Sequence, residues 1–231
     1  MIDGAGNFGG MPEIFEQADR ANQEMDACIA RSIEADEPDF KYSALGIQVK
    51  ADEPIEYAHI VSNIKIAIGG GINEPRDSIL TTLYGLLTNP EQLTAAIQQP
   101  KLFANAFEEA VRWVAPIQLS SRRVIRDTTI RDFEIPAGEV LMTIQASANR
   151  DEEVYDHADR FDLFRKPMRH QGFGNGPHFC MGTHLSRRMI GEIALPMLFE
   201  RYPHMQLSHP NDVVWRGFGF RGPVNLPVKL N

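Results

Sequence analysis

A glycine-rich run of ten residues constrains this chain more than any other feature of its sequence. Residues 173–182 read Phe-Gly-Asn-Gly-Pro-His-Phe-Cys-Met-Gly, and Cys180 stands near the end of the run. Glycine allows sharp turns and lets the backbone lie flat against a planar group, because no side chain intervenes. A helical pattern follows from about Met181 to Tyr202, and the positive end of such a helix favours a thiolate over a thiol. The run is therefore expected to present one sulfur outward.

A single cysteine beside a flat glycine loop is typical of one class of cofactor site. No second Cys or His stands at metal-ligand spacing from Cys180, so the pattern predicts a heme with a proximal cysteine. His178, two residues before the sulfur, can donate a hydrogen bond to a carboxylate at the edge of the heme. The alternative is a buried structural cysteine in a glycine turn, because a free cysteine often behaves as a small hydrophobic residue.

The run resembles the heme-binding loop of the cytochrome P450 family, Phe-Gly-x-Gly-x-His-x-Cys-x-Gly. The resemblance implies heme b (iron protoporphyrin IX) as cofactor, Cys180 as the iron ligand, and Phe173, Gly174 and Gly182 as further heme-binding residues. It also implies a mainly α fold with small β-sheets, the cytochrome P450 fold. We expect one heme-binding domain over residues 1–231, the C-terminal portion of that fold truncated on its N-terminal side, with a flexible lead-in at residues 1–11.

The longest helical pattern, over residues 54–87, carries the second chemical feature. Three glycines at 69–71 precede Asn73, Glu74 and Pro75. A proline inside a helix removes one backbone hydrogen bond and kinks or opens the turn. A plain joint between two helices is the alternative interpretation. In the family this helix carries an acid and an alcohol that relay protons; here Glu74 keeps the acid, and Pro75 replaces the alcohol.

This departure resembles a bacterial Glu-Pro subgroup that lacks the usual distal threonine. The resemblance implies that Glu74, Asn73 and ordered water deliver protons. The helix would be opened at Gly71 and Pro75, on the oxygen-binding side of the heme. These four residues are the expected catalytic set.

Two further motifs concern support of the cofactor. Glu109 and Arg112 lie three apart on a helical pattern at about 101–114, where they can form a charge-assisted pair. They match the Glu-x-x-Arg of the family, and Arg160 is expected to complete the cluster. Segments 117–125, 129–135 and 139–145 favour strands, with a turn at 136–138, and residues 215–223 favour a hairpin. The resemblance implies that Arg122 contacts a heme propionate, with Arg123 as the alternative.

Charge and composition limit the classes of partner that the chain can bind. The net charge of −8 gives no support for nucleic-acid binding, and no apolar run has the length of a membrane span. The start of the sequence has no signal-like core, so a soluble cytoplasmic protein is expected. Cys28 is expected to pack in a helix. The basic residues that flank the cysteine loop favour docking of an acidic electron-transfer partner, with solvated surface charge as the alternative: Arg122, Arg123, Arg126, Arg165, Lys166, Arg169, Arg187 and Arg188.

These features together favour a heme-thiolate monooxygenase, an oxidoreductase that inserts one atom of O2 into a small organic substrate. Likeness to the subgroup suggests an aromatic substrate and hydroxylation or O-dealkylation. Electrons would come from NAD(P)H through a flavoprotein reductase and a ferredoxin. Two alternatives stay open: a heme-binding fragment without catalytic competence, and a peroxide-driven heme-thiolate enzyme.

Overall fold

The computed structural model describes residues 2–230 of the 231-residue chain. It is rich in helix and carries four small two-stranded sheets among these residues, so the expected mainly α fold is confirmed. The chain divides into two compact units, the first ending at Asn73 and the second beginning at Glu74. The boundary falls inside the longest helix.

The first unit is built on the helices α1 (Ile2–Ala5), α2 (Pro12–Ala35) and α3 (Ala44–Val49), together with the start of α4 (Tyr57–Leu87). Helix α1 lies in the predicted lead-in. Asn7 then joins this segment to α2, because its side chain exchanges two hydrogen bonds with the backbone of Met11, at 3.0 and 2.7 Å. The buried core of the unit is small, and its members come from α2 and α4: Ile29, Ile60 and Ile64.

Helix α4 (Tyr57–Leu87) runs for 31 residues and contains Pro75 in its interior. The helix continues through the glycines and the proline without a break, so the alternative of two helices with a joint is wrong. Proline has no N–H, and the carbonyl four residues earlier therefore lacks its usual intrahelical donor. The expected opening of this turn rests on that missing hydrogen bond.

The second unit holds the larger core. Phe103 of α6 stacks on Phe199 of α9, with ring centroids 5.3 Å apart and planes 9° from parallel. The predicted helix after Cys180 is confirmed, but its central part is π-helical, which the sequence pattern did not reveal. The helices of this unit that follow α4 are α5 (Pro90–Gln98), α6 (Leu102–Trp113), α7 (Gln145–Ala148), α8 (Thr183–Ser186), the π-helix Arg187–Ala194 and α9 (Leu195–Arg201).

The strands pair in antiparallel fashion within this unit. The segment expected as one strand over 129–135 is in fact two strands, because Arg131 adopts a left-handed backbone (φ 53°) and turns the chain back. The predicted hairpin at 215–223 is confirmed, with Gly217 at φ 96° in its turn. The pairs are β1 (Ser120–Arg123) with β4 (Val140–Thr143), β2 (Thr128–Ile130) with β3 (Phe133–Ile135), β5 (Gln206–Leu207) with β8 (Val228–Lys229), and β6 (Trp215–Arg216) with β7 (Gly222–Pro223).

The remaining structural findings concern helix hydrophobicity and the two cysteines. Within residues 2–230, no helix combines the length and the hydrophobicity that crossing a membrane requires. Cys28 does not pack in a core: it is exposed on α2, because the buried face of that helix is the one that carries Ile29. Cys28 and Cys180 are both free thiols.

Candidate heme-thiolate site

The backbone of Cys180 is fixed on both sides while its side chain is left exposed. Its N–H donates to the carbonyl of Phe173 at 2.9 Å. Its own carbonyl accepts from the hydroxyl of Thr183 at 2.7 Å and from the Thr183 N–H at 3.3 Å. Thr183 is fully buried, so the donor side of this clamp is held inside the protein. The arrangement holds the sulfur in one place and offers it to a ligand, and the alternative of a buried structural cysteine is wrong.

Glycines shape the loop around that sulfur. Gly174 and Gly176 both adopt φ 70°, a region that residues with a Cβ seldom enter. A Cβ on Gly182 would lie 3.7 Å from the sulfur of Cys180, so this glycine keeps the space beside the thiol clear. Nothing lies within 4 Å of where a Cβ of Gly176 would stand. The loop is therefore open at Gly176, and the side chain of Cys180 is exposed.

A partly exposed ion cluster lies beside Phe173 at the start of the loop, and the sequence pattern did not reveal it. Glu108 of α6 accepts two hydrogen bonds from Arg187, at 2.6 and 2.9 Å, and one from His170 at 3.2 Å. The ring of Phe173 lies against this cluster, with the Arg187 guanidinium 5.1 Å from its centroid. Burial alone would raise the pKa of Glu108, but the hydrogen bonds from His170 and Arg187 outweigh it and lower the pKa to about 2. Glu108 thus stays ionised and holds the segment on which Phe173 lies.

The Glu109–Arg112 pair forms as the motif predicts, but its third member is a different arginine. Arg112 donates to both carboxylate oxygens of Glu109, each at 2.7 Å. The second guanidinium on Glu109 is that of Arg165, at 3.2 Å from each oxygen. Arg160 has an exposed side chain and contributes only its backbone carbonyl, which accepts from Arg112 at 2.9 Å. The prediction of Arg160 as a charged partner is therefore wrong.

Glu74 is a carboxyl group in an unusual environment. Its Oε2 atom is buried and has no hydrogen-bond partner among the described residues. Burial raises the pKa of Glu74 and outweighs a backbone hydrogen bond that lowers it; the nearby Asp77 raises the pKa and Arg76 lowers it by smaller amounts. A carboxyl of this kind holds a proton more readily than an exposed one. Pro75 lies beside it in the second unit, whereas Gly71 and Asn73 belong to the first.

Arg122 and His178, the two residues predicted to contact the heme propionates, both have exposed side chains. Arg122 lies on β1 opposite Leu141, and its guanidinium donates only to the neighbouring carbonyl of Ser121, at 2.8 Å. His178 ends a short 3₁₀ turn, Gly176–His178, with its side chain exposed. Neither contacts a carboxylate in the part of the chain that the structure describes. Both remain predictions as heme contacts.

The residues at hand fit a heme. The exposed Cys180 in a glycine-rich loop would supply a thiolate ligand to the iron, and the donors of Arg122 and His178 would suit two carboxylates. The structure gathers Phe173, Gly174, Cys180 and Gly182 into one loop, while Glu74 and Arg122 come from other elements. Within residues 2–230, no group of three His, Cys, Asp or Glu side chains could hold a bare metal ion.

Comparisons with known proteins agree with this geometry. The family model for Cytochrome P450 matches residues 91–214. The 6-deoxyerythronolide B hydroxylase of Saccharopolyspora erythraea is 32% identical over 226 residues, which are 95% of this chain and 56% of that protein. Cytochrome P450-terp of a Pseudomonas species is 40% identical over 148 residues, 64% of this chain and 34% of that protein.

A solved structure shows the same relation in three dimensions. The tirandamycin C-bound P450 monooxygenase TamI superposes with a TM-score of 0.86 at 30% sequence identity, covering 96% of this chain and 56% of that one. The chain thus spans about half the length of such relatives or less. The match of the family model over more than half of the chain, together with a cysteine loop built to present one thiolate, shows that the chain belongs to the cytochrome P450 family, whose cofactor is heme.

Proposed function

We propose that this chain is the C-terminal portion of a heme-thiolate monooxygenase. The observation that carries the proposal is the presentation of Cys180, whose backbone is clamped by Phe173 and Thr183 while its thiol stays exposed. A structural cysteine would have no need of two left-handed glycines and a clear space beside the sulfur. Membership in the family supplies the reaction class.

Cys180 would ligate the heme iron, and its loop would cradle the cofactor through Phe173, Gly174 and Gly182. Arg122 and His178 would hold the propionates by charge-assisted hydrogen bonds. When bound, the heme supplies the chemistry that inserts one atom of O2 into the substrate and releases the other as water, with two electrons from NAD(P)H and two protons. The thiolate donates electron density that favours O–O cleavage.

Glu74 is the proposed source of those protons. Its pKa is raised chiefly by burial, so a proton on Oε2 is available closer to neutral pH than on an exposed carboxyl. The buried Oε2 atom has no partner among the described residues, so a proton held there would have no competing acceptor and would pass to an ordered water. Asn73 would orient that water, and Gly71 and Pro75 would give it room where the helix lacks a hydrogen bond.

The substrate proposed is a small organic molecule of aromatic type, hydroxylated or O-dealkylated. Relatives carry the names of a 6-deoxyerythronolide B hydroxylase and a mycinamicin IV hydroxylase/epoxidase, which support the reaction class and leave the substrate open. A ferredoxin and a flavoprotein reductase are the proposed electron donors. An acidic donor would meet the cations of the loop region that remain exposed: Arg122, Arg123, Arg126, Lys166, Arg169 and Arg188.

Turnover by the heme-loaded chain tests the proposal. We would supply NADH, a surrogate reductase and ferredoxin, and a panel of substituted benzenes, and would measure oxygenated product. The unchanged chain should form product, whereas Cys180→Ser should form none and Glu74→Gln should form at least about a hundredfold less, the lower end for loss of an acid catalyst.

A parallel assay with peroxide distinguishes the alternatives. Because peroxide supplies both electrons, product with peroxide alone would indicate that only electron delivery fails. Peroxide-supported turnover that survives Glu74→Gln would favour a peroxide-driven enzyme. Loss of product in both assays, with heme still bound through Cys180, would contradict monooxygenation by this chain and favour a binding fragment.

A further inference from the structure

A second pocket lies in the second unit and shares no lining residue with the Cys180 loop. Its volume is about 470 Å³, and its walls come from α4, α6, α7 and the terminal hairpin. Three aromatic rings and two guanidinium groups dominate the lining. These residues are Tyr84, Trp113, Trp215, Arg150 and Arg221.

The aromatic rings form a rigid corner. Tyr84 stacks nearly parallel to Trp113, with centroids 6.2 Å apart and planes 11° apart. Trp215 stands edge-on to the same tyrosine, at 5.3 Å and 84°. The indole N–H of Trp113 is already used, because it donates to the carbonyl of Asp159 at 2.7 Å. Phe161 stands edge-on to Trp113 at 5.7 Å, and the guanidinium of Arg221 lies 5.8 Å from the centroid of the Trp215 ring. The pocket thus already combines aromatic rings with a cation, and a flat ring is a group that aromatic rings bind.

The two arginines leave positive charge without a counterion. Arg150 donates to the carbonyl of Trp113 at 2.9 Å, and Arg221 to the carbonyl of Gly217 at 3.3 Å. Neither forms an ion pair anywhere in residues 2–230. Burial lowers the pKa of Arg150, and so does the repulsion of Arg112 and Arg221, against a weaker opposing effect of Asp159. An anion in the pocket would relieve this repulsion.

We propose that this pocket binds a small aromatic anion, with the ring against Trp113 and Trp215 and the charged group on Arg150 and Arg221. Arginine presents several donors in a planar fork, which suits a carboxylate, sulfonate or phosphonate. A neutral aromatic molecule would leave both charges unmatched, and an inorganic anion would leave the rings bare. The assignment is independent of the proposed oxygenase activity, because it uses none of the residues placed there.

Tryptophan fluorescence reports on this pocket directly. The chain contains only two tryptophans, Trp113 and Trp215, and both line the pocket. We would excite the tryptophans selectively in protein without added heme and titrate benzenesulfonate, which stays ionised at every working pH. We expect a saturable change of intensity. Sulfate and benzyl alcohol, which carry only the charge or only the ring, should bind at least about tenfold more weakly, since one charge-assisted contact contributes about that factor.

Variants assign the site. Arg221→Gln and Arg150→Gln should each weaken benzenesulfonate binding about tenfold. Arg216→Gln is the matched control, because Arg216 lies next to Trp215 on β6, is exposed and does not line the pocket; its affinity should match that of the unchanged chain. Raising the salt concentration should weaken binding to the unchanged chain, which tests the charge without any substitution.

Several results would overturn the assignment. Benzyl alcohol binding as tightly as benzenesulfonate would show an apolar pocket only, and equal binding of sulfate would show charge only. Equal loss of affinity in Arg216→Gln and Arg221→Gln would place the anion elsewhere. Binding that does not respond to salt would also contradict a role for the two arginines.

Discussion

Replacement of Arg112 by methionine tests the buried ion cluster around Glu109. Arg112 is 3% exposed and donates five hydrogen bonds, two to Glu109 and three to the carbonyls of Asn149, Ala158 and Arg160. Methionine fills much of the space and donates none of these bonds. Removing one partner of a buried ion pair typically costs about 3–5 kcal/mol. We expect a loss of free energy of unfolding in that range.

Two further arginines make the comparison specific. Arg165→Met should cost about 1–3 kcal/mol, because this side chain is 11% exposed and leaves Glu109 with a weaker set of donors. Arg160→Met should change the stability by less than about 0.5 kcal/mol, because its side chain is exposed and its carbonyl is retained.

Urea unfolding followed by tryptophan fluorescence measures all three variants. Trp113 is adjacent to Arg112 on α6, so its emission reports on this part of the core. Equal losses for Arg160→Met and Arg165→Met would refute the assignment of Arg165 as the second cation. A loss below about 1 kcal/mol for Arg112→Met would refute the view that the cluster is buried and fully paired.

Three further predictions concern single groups near the site. The pKa of Glu108 is lowered from 4.5 to about 2. Its contribution to the free energy of unfolding should therefore be complete above pH 4.5 and be lost as the pH falls toward 2. Urea titrations across this range should show a weaker pH dependence in Glu108→Gln than in the unchanged chain. The pKa of Glu74 is raised, so the free energy of unfolding should fall as the pH rises from 4.5 through the pKa of the folded state. In the same titrations, Glu74→Gln should be more stable than the unchanged chain at neutral pH. Thr183→Val keeps the shape but removes the hydroxyl that donates to Cys180, and thermal unfolding should show a loss of about 1–2 kcal/mol.

Each of these predictions has an opposite outcome. An unchanged acid profile in Glu108→Gln would contradict the pairing with His170 and Arg187. A less stable Glu74→Gln at neutral pH would mean that the ionised carboxylate has a partner. Equal stability of Thr183→Val would mean that water replaces the hydroxyl in the clamp on Cys180.

The parts of the site that are local in sequence could be predicted from it. The Cys180 loop depends on glycines and a cysteine within ten residues, and backbone geometry links them directly. The pair of Glu109 and Arg112 follows from helical spacing alone. Such features need no knowledge of how distant segments meet.

The parts that depend on distant segments could not be predicted. Glu108 lies 62 residues before His170 and 79 before Arg187, and no pattern in the sequence links them. Arg165, rather than Arg160, reaches Glu109 because the chain turns between them and points the backbone carbonyl of Arg160 inward. The Glu-x-x-Arg motif predicts two partners on one helix, but it does not predict which distant residue is the third.

Local backbone conformation could also not be predicted from the sequence where a single residue determines it. The expected strand over 129–135 contains Arg131, and a single left-handed residue turns it into a hairpin. The π-helix Arg187–Ala194 has an ordinary amphipathic sequence, so its wider turn could not be read from the pattern, and it packs against α6. Gly191 in that stretch lies close to Ala104 of α6, where a Cβ would be only 3.0 Å from the Ala104 Cα.

The absorption spectrum of the reduced, heme-loaded chain under carbon monoxide shows whether Cys180 ligates the heme iron. Coordination by the Cys180 thiolate predicts a strongly red-shifted ferrous carbonyl band that disappears in Cys180→Ser. The same band should persist in Cys28→Ser, which removes the other free thiol on an exposed face of α2. Only the bands of free or nitrogen-ligated heme in the unchanged chain, or a red-shifted band that survives Cys180→Ser, would contradict the account.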